Sequence, residues 1–435
     1  MIAQILFLVI LGAGVFLFTK KVREVIRNIN LGRDVKINDR PSERWAVMAK
    51  VAMGQSKMGA RPVAAFFHVL IYVGFIIINI EVLEIIIYGL FGTHRVLSFM
   101  GGFYDFLIGS FEILALGVLA ACVVFLARRN VLRIKRFTMR EMTSWPRTDA
   151  NLILITEIFL MTAFLLMNAA DSILQTRGAE HYITAGSFPV SAMFIPILSG
   201  MSTDALILLE RGCWWFHIVG ILAFLNYVPY SKHFHILLAF PNTWYSKLTP
   251  KGQLTNMESV MNEVKLMMDP SAVPPPADPN AAPQRFGAKD VKDLTWKQLM
   301  DAYSCTECGR CTSSCPANLT GKILSPRKIM MDTRDRLEEV GKNINQHGAD
   351  HDDGKSLLND YISPEELWAC TSCNACVEAC PVLIDPLSII VDMRRYMVME
   401  QSAAPTELNG MFSKIENNGA PWQFSPADRM NWTEN

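Results

Sequence analysis

Hydropathy divides the chain into an apolar first half and a polar second half. Long apolar runs fall within residues 1–242, whereas residues 250–435 are polar, with proline-rich and acidic stretches. A helix needs about 20 apolar residues to cross roughly 30 Å of hydrocarbon. Five runs reach this length, at about 2–19, 63–90, 103–127, 150–170 and 214–241. The pattern predicts an all-α protein whose residues 1–245 form a five-span transmembrane bundle.

Basic residues beside the apolar runs predict how these spans are oriented. The first run is followed at once by "KKVREVIR" and has no basic residue before it, unlike a secretory signal peptide. Lys and Arg also crowd the loops 20–61 and 128–147, and such loops stay on the cytoplasmic side. We therefore expect a bacterial or archaeal inner-membrane protein with its N-terminus outside and everything after about residue 242 in the cytoplasm.

A further apolar stretch, "FPVSAMFIPILSGMSTDALILL" at 188–209, is interrupted by proline and glycine. A sixth span would place the second half of the chain outside the cell, against the distribution of basic residues. We therefore interpret this stretch as a re-entrant or interfacial segment.

Eight of the ten cysteines lie in two copies of one pattern, Cys-x-x-Cys-x-x-Cys-x-x-x-Cys-Pro, 65 residues apart. This is the bacterial ferredoxin run, in which the fourth cysteine ligates the other cluster of a two-cluster protein. Structural zinc normally uses two separated Cys-x-x-Cys pairs, so zinc fits poorly. The spacing predicts two 4Fe–4S clusters. The predicted ligands are Cys305, Cys308, Cys311 and Cys380 for the first cluster, and Cys370, Cys373, Cys376 and Cys315 for the second.

The segments around the cysteines have helical patterns, such as "DLTWKQLMDAY" before the first copy and "SIIVDMRRYMVMEQ" after the second. The residues between the copies lack the alternation of strands. We therefore predict a cytoplasmic, α-helical two-cluster ferredoxin domain at 289–405. A Pro/Ala-rich linker at 246–288 precedes it, and residues 406–435 form a tail.

Three histidines in the apolar half are candidate haem ligands. His68 lies near the cytoplasmic end of span two, and His217 and His235 lie 18 residues apart on span five. Bis-imidazole ligation of a b-type haem needs two histidines from different helices at one depth, which pairs His68 with His235. Span two offers no histidine at the depth of His217. Two interpretations stay open there, a second haem and an interfacial histidine beside Trp214 and Trp215.

Acidic residues in or beside the spans leave two interpretations open. Such residues are costly in a membrane and are functional candidates by default. They either serve proton movement, or they lie near an interface or pair within the bundle. The residues are Glu81, Glu84, Asp105, Glu112 and Glu157.

The apolar half resembles the gamma subunit of membrane-bound nitrate reductase and the b-type cytochrome of membrane-bound heterodisulfide reductase. The residues that carry the resemblance are "FFHVLIYVGF" on span two and the pair His217 and His235. That family has five spans and two haems, with a second histidine ten residues after the first on span two. Ile78 stands at that position here. The resemblance therefore implies the haem of His68 and His235 and leaves the outer haem without its span-two ligand.

The polar half resembles the ferredoxin module of heterodisulfide reductase subunits and of the small subunit of anaerobic glycerol-3-phosphate dehydrogenase. "CTECGRCTSSCPANLTGKILSPRKIM" and "CTSCNACVEACPVLIDPLSIIVDMRR" carry this similarity. In those families a domain with two Cys-Cys-Gly motifs usually follows, and "IENNGAPWQFSPADRMNW" resembles the linker before it. The resemblance implies a separate Cys-Cys-Gly-domain subunit as partner, which the tail 406–435 would bind.

Together these features predict a membrane-anchored electron-transfer subunit of a respiratory oxidoreductase complex. Electrons would pass between a Cys-Cys-Gly-domain subunit or an electron-transferring flavoprotein, two 4Fe–4S clusters, haem b, and menaquinone or ubiquinone in the lipid. The alternative is a redox-sensing or assembly membrane protein that uses the clusters without quinone chemistry. A complete enzyme is disfavoured because no Gly-x-Gly-x-x-Gly fingerprint is present. The zero net charge gives no reason to expect nucleic acid as a partner.

Overall fold

The computed structural model describes residues 1–269, 271, 285–422 and 425–434, and these residues form helices and loops without a β-strand. The predicted all-α fold is therefore confirmed. The helices up to residue 268 are α1 (Ile2–Ile29), α2 (Pro41–Met48), α3 (Pro62–Phe91), α4 (Gly102–Leu126), α5 (Ser144–Thr176), α6 (Ile195–Leu198), α7 (Thr203–Tyr227), α8 (His235–Trp244) and α9 (Glu258–Met268). They are followed by α10 (Trp296–Tyr303), α11 (Arg310–Ser313), α12 (Pro316–Leu319), α13 (Pro326–His347), α14 (Leu357–Asp360), α15 (Pro364–Trp368), α16 (Ala375–Ala379), α17 (Pro386–Met399) and α18 (Thr406–Asn418).

Five helices, α1, α3, α4, α5 and α7, are long and apolar enough to cross a membrane, as the hydropathy pattern predicts. They approach one another closely where glycine faces a large side chain. A Cβ atom on Gly89 of α3 would lie 2.6 Å from the ring of Phe7 on α1, and one on Gly220 of α7 would lie 2.7 Å from Leu160 on α5. Small residues at helix crossings are typical of membrane bundles, because dispersion contacts replace the hydrophobic effect there.

The fifth span differs from the predicted run 214–241 at both ends. Helix α7 begins at Thr203, because the Ser202 side chain accepts a hydrogen bond from the Ala205 backbone N–H and caps the helix. It ends at Tyr227, and a 3₁₀ turn containing Pro229 follows, since proline has no N–H to continue the ladder. His235 starts a new helix, α8. His217 and His235, predicted to lie on one span, therefore belong to two different helices.

The interrupted segment 188–209 is not a sixth span. Its middle forms a 3₁₀ turn, Ser191–Phe194, and the short helix α6, and its last residues belong to α7. The backbone N–H groups of Val190 and Ser191 donate to the Glu112 carboxylate of α4, at 2.9 and 3.0 Å. The segment thus lies against the bundle, and the count of five apolar spans stands.

One end of the bundle is part of the apolar core of the cysteine-bearing domain. Val25 and Ile29 of α1, together with Val228 and Phe234 after α7, pack into the same buried cluster as Leu299 of α10. The second half of α1 therefore extends beyond the apolar bundle and lies against the domain. This packing fixes the position of the domain through direct contact with the bundle.

Of the predicted linker 246–288, residues 270 and 272–284 lie outside the described residues, and the described part contains α9. The chain rejoins the domain at Ala288, whose N–H donates to the Asp392 carbonyl at 2.9 Å. The tail contains α18 and a 3₁₀ turn, Pro426–Thr433, while residues 423, 424 and 435 lie outside the described residues. Partner binding by the tail stays a prediction.

Candidate iron–sulfur and haem sites

The first cysteine run winds around a cavity between α10 and α13. The loop after α10 has positive φ angles at Glu307 (52°) and Gly309 (69°). A Cβ atom on Gly309 would lie 2.5 Å from Arg327 Nη1, so this position needs glycine both for its φ angle and for space. The cysteines that line the cavity are Cys305, Cys308, Cys311 and Cys380. The structure thus brings together the four residues predicted to hold the first cluster, and four thiols around one cavity suit a 4Fe–4S cubane.

The second cysteine run repeats the same loop geometry. Ser372 and Asn374 have positive φ angles of 55° and 59°, at the positions equivalent to Glu307 and Gly309. Cys315, the last cysteine of the first run, is buried and lies within electrostatic range of Cys370 and Cys376 of the second run. Cys373 is exposed at the surface. The arrangement groups the four predicted ligands of the second cluster, with Cys315 contributed by the other motif.

Burial favours the neutral thiol form of three of these cysteines, Cys305, Cys376 and Cys380. Burial raises the pKa of Cys305 to about 11 and the pKa of Cys376 and Cys380 to about 12. The neighbouring thiols add to the effect on each of them. Iron ligation requires the thiolate, so assembly of a cluster at either site would release protons.

Glu307, inside the first motif, connects the cavity to the end of the bundle. Its carboxylate forms ion pairs with Lys232, in the turn before α8, and with Arg334 of α13 at 2.9 Å. Burial disfavours the charge on Glu307, but Arg334 and Lys232 outweigh burial and lower the pKa of this carboxyl. The Lys232 carbonyl in turn accepts a hydrogen bond from His235 Nδ1 at 3.0 Å. One short chain of contacts therefore runs from the first cysteine loop to a predicted haem ligand.

Loops of the bundle enclose the other sides of the cavity. Arg327, which is fully buried, donates to the Glu141 carboxylate and to the Arg136 carbonyl, both at 2.7 Å. Arg310, a residue of the cavity lining, donates to the Lys57 carbonyl at 3.0 Å. The basic loops 20–61 and 128–147 therefore pack against the cluster domain at one end of the bundle.

The structure brings His68 and His235 to this same end of the bundle, within electrostatic range of each other. A carbonyl oxygen can only accept, so the hydrogen bond from His235 Nδ1 to Lys232 places the proton on Nδ1. The Nε2 lone pair of His235 is then available to a metal, as in histidines that ligate iron. His68 Nδ1 is buried and has no hydrogen-bond partner among the described residues. His68 and His235 are the residues that would hold a haem at this end of the bundle.

His233 is a further histidine at this end of the bundle, which the sequence analysis did not name. Its ring lies 5.6 Å from the ring of His235 and 5.4 Å from that of Phe224, and it is within electrostatic range of His68. The predicted fifth span runs unbroken from 214 to 241, whereas the chain turns at Pro229 and brings His233 beside His235. That proline was the signal in the sequence that could have revealed it.

His217 lies inside the bundle, away from the other two predicted ligands. It is 1% exposed, its Nδ1 donates to the Leu160 carbonyl at 3.0 Å, and its ring lies 5.9 Å from that of Phe164. About ten residues, or roughly 15 Å of helix, separate it from the end of α7. Its neighbours among the described residues are thus a backbone carbonyl and an aromatic ring. Its role as a ligand stays a prediction.

Arg95, which the sequence argument did not single out, organises a buried polar network at the other end of α3. Its Nε donates to the Asp171 carboxylate at 2.9 Å, and its Nη1 lies 3.8 Å from Glu81. Glu84 accepts from the Tyr104 hydroxyl at 2.8 Å. Glu81 keeps one buried carboxylate oxygen without a hydrogen-bond partner among the described residues. The network favours pairing within the bundle for Glu84 and leaves both interpretations open for Glu81.

The remaining acidic candidates have separate surroundings. Glu112 is fully buried and accepts hydrogen bonds from the hydroxyl and the backbone of Ser191. Asp105 accepts from the Gly186 N–H at 2.7 Å. Glu157 is half-buried on α5. Glu112 and Asp105 thus anchor the segment between α5 and α7 to the bundle.

Comparison with known proteins agrees with the iron–sulfur assignment. Residues 304–384 match the model of the 4Fe-4S dicluster domain. The chain is 28% identical to "Probable iron-sulfur-binding oxidoreductase FadF" of Bacillus subtilis, over 99% of the chain and 60% of that protein. It is 26% identical to "EtfAB:quinone oxidoreductase" of Syntrophomonas wolfei, over 92% of the chain and 55% of that protein.

A third relative matches the cluster region alone. It is one component of the "Ferredoxin/F(420)H(2)-dependent CoB-CoM heterodisulfide reductase" of Methanosarcina acetivorans, and it is 35% identical over 27% of the chain and 60% of that protein. No solved structure matches the chain. The chain spans between half and two thirds of the length of the curated relatives named above. These similarities support an iron–sulfur electron-transfer protein with membrane helices and a two-cluster domain.

Proposed function

We propose that this chain carries electrons between a soluble partner and membrane quinone, through two 4Fe–4S clusters and a b-type haem held by His68 and His235. The positions of the two cluster sites support this proposal. Cys373 of the second site is exposed to a soluble partner, whereas the first cavity lies against the bundle. Bound clusters and haem would supply the one-electron chemistry, and the protein would position them and tune their potentials.

The single observation that carries the proposal is the contact between the first cavity and the histidine end of the bundle. Glu307 lies between two cysteines of the cavity and pairs with Lys232, whose carbonyl orients His235. Cofactors held at these two places would be close neighbours. A cluster domain that only reported redox state would have no need of this contact.

We propose that the soluble partner binds at the surface around Cys373. One relative is named for EtfAB and quinone, and others are heterodisulfide reductase subunits. We therefore propose an electron-transferring flavoprotein, a Cys-Cys-Gly-domain subunit, or both, as the soluble partner, and menaquinone or ubiquinone as the lipid-soluble one. The cluster domain would face the cytoplasm, because it docks on the basic loops 20–61 and 128–147.

Optical spectroscopy of the purified full chain tests the proposal. We expect a reduced b-type haem band, and we expect quinol to reduce that haem in membrane vesicles that contain the protein. The matched control is His94→Ala, which removes a histidine beside Asp171 at the other end of the bundle and should leave the band. A preparation that holds both clusters but shows no haem band would contradict electron conduction and would favour the redox-sensing alternative.

A further inference from the structure

Arg136, in the loop between α4 and α5, is buried against the first cysteine cavity. It is 7% exposed, and its Cβ lies 3.3 Å from where a Cβ atom on Gly309 would be. The backbone carbonyl of Arg136 accepts a hydrogen bond from Arg327, which also pairs with Glu141. The bundle loop therefore holds the backbone and the Cβ atom of Arg136 next to Gly309, a residue of the cavity lining.

The guanidinium of Arg136 sits among other cations. The positive charge of Arg136 is disfavoured by three nearby arginines, Arg61, Arg310 and Arg128. Cys308 is also within electrostatic range and favours that charge. The guanidinium carbon of Arg136 lies over the Phe137 ring, 4.8 Å from the ring centroid. Its buried Nε has no hydrogen-bond partner in the part of the chain that the structure describes.

Such a site is unfavourable for a cation unless an anion lies next to it. A buried charge without a partner is strongly destabilising. Two of the neighbouring arginines already have hydrogen-bond partners. Arg310 donates to the Lys57 carbonyl, and Arg61 donates to Ser313 Oγ at 2.7 Å. A cubane held by four thiolates is such an anion, and its negative charge increases when it is reduced.

We propose that Arg136 raises the reduction potential of the first cluster by holding its positive charge near the Cys308 ligand of that cluster. Hydrogen bonds to the sulfurs and nearby charge set the potential of an iron–sulfur cluster, and a cation stabilises the more negative, reduced form. Because Arg136 comes from a bundle loop, the membrane half tunes the cluster domain that docks on it. This inference rests on the proposed function, since it requires a cluster at Cys305, Cys308, Cys311 and Cys380.

An EPR-monitored redox titration of the full chain tests this role. The two clusters are assigned by Cys380→Ser, which should remove the first cluster alone. In Arg136→Met we expect the midpoint potential of the first cluster to become more negative while that of the second cluster stays at its wild-type value. Arg136→Lys, which keeps the charge, should restore most of the difference. Arg140→Met removes an exposed cation from the same loop and should leave both potentials unchanged.

An unchanged first-cluster potential in Arg136→Met, or an equal displacement of both clusters, would overturn the inference. Where Arg136→Met does not retain the first cluster, Arg136→Gln removes the charge, keeps a polar side chain and gives the same test. The titration measures only the midpoint potentials of the two clusters. Absence of haem or of quinone reactivity in the same preparation would therefore contradict the proposed function and leave this inference standing.

Discussion

Cys315 and Cys380 end the two cysteine motifs at equivalent positions, and each lies with the cysteines of the other copy. Cys380 lines the cavity of Cys305, while Cys315 is near Cys370 and Cys376. A short helix, α11 or α16, precedes each last cysteine and carries it away from its own run. The two sites are therefore coupled by covalent structure, and each motif alone makes three quarters of a site.

Replacement of the two crossing cysteines distinguishes this arrangement from two self-contained sites. In Cys315→Ser we expect loss of the second cluster and retention of the first, and in Cys380→Ser the reverse, because serine removes one thiolate ligand from each. Iron content and EPR of the purified variants measure the outcome, with Cys122→Ser, a cysteine of the bundle, as control. Loss of the first cluster from Cys315→Ser would contradict the crossed arrangement.

The three histidines near the cluster domain allow a second residue-level test. We expect His68→Ala and His235→Ala each to abolish the reduced haem band while both clusters are retained, because a bis-histidine haem needs both ligands. His233→Ala should keep the band, since the Lys232 carbonyl orients His235 for ligation. If His233→Ala lost the haem and His235→Ala kept it, His233 would replace His235 as the ligand.

At the scale of elements, buried polar contacts add to the apolar packing that holds the cluster domain to the bundle. Arg327 at the start of α13 donates to Glu141 in the loop before α5, and Asn28 of α1 donates to the Tyr303 hydroxyl of α10 at 3.0 Å. Lys21 of α1 lies 3.3 Å from Glu338 of α13. Each contact joins a helix end or loop of the bundle to a helix that frames the first cavity.

Removal of Arg327 should weaken this attachment strongly. Arg327→Met leaves Glu141 buried at 7% exposure without its cation, and loss of one partner of a buried pair costs about 3–5 kcal/mol. We expect the thermal bleaching of cluster absorbance to begin at a lower temperature than in the wild type. Lys322→Met, an exposed cation of the same domain, is the control and should bleach like the wild type. Equal bleaching of Arg327→Met and the wild type would show that this pair does not hold the domain.

Sequence periodicity predicted the five spans and the helical character of the cluster domain, because both depend on local pattern. It misplaced the fifth span, since Ser202 starts α7 early and Pro229 ends it early, and each effect depends on a single residue. The division of the eight cysteines into two ligand sets was likewise predicted from their spacing along the chain. The arginines around the first cavity could not be predicted, because Arg136 and Arg327 are almost 200 residues apart and no periodic pattern relates them.

For the whole molecule, the sequence suggests two units joined by a linker, whereas in the structure one end of the bundle is buried in the apolar core of the cluster domain. Val25 of α1 and Val228 after α7 are buried with Leu299 of the cluster domain. The same basic loops that predict orientation also contact this domain, through Lys57 and Arg136. Insertion and docking therefore depend on the same residues, and the side on which the loops lie is also the side of the clusters.

Labelling of single introduced cysteines with a membrane-impermeant maleimide tests this orientation. Thr93→Cys places an exposed thiol in the loop between α3 and α4, and Gln401→Cys places one after α17. We expect intact cells to label Thr93→Cys alone and inside-out vesicles to label Gln401→Cys, with the wild type as background, because the basic loops hold the cluster domain on the cytoplasmic side. Labelling of Gln401→Cys in intact cells would reverse the orientation. The soluble electron partner would then have to be sought outside the cell, because the exposed second site would face that way.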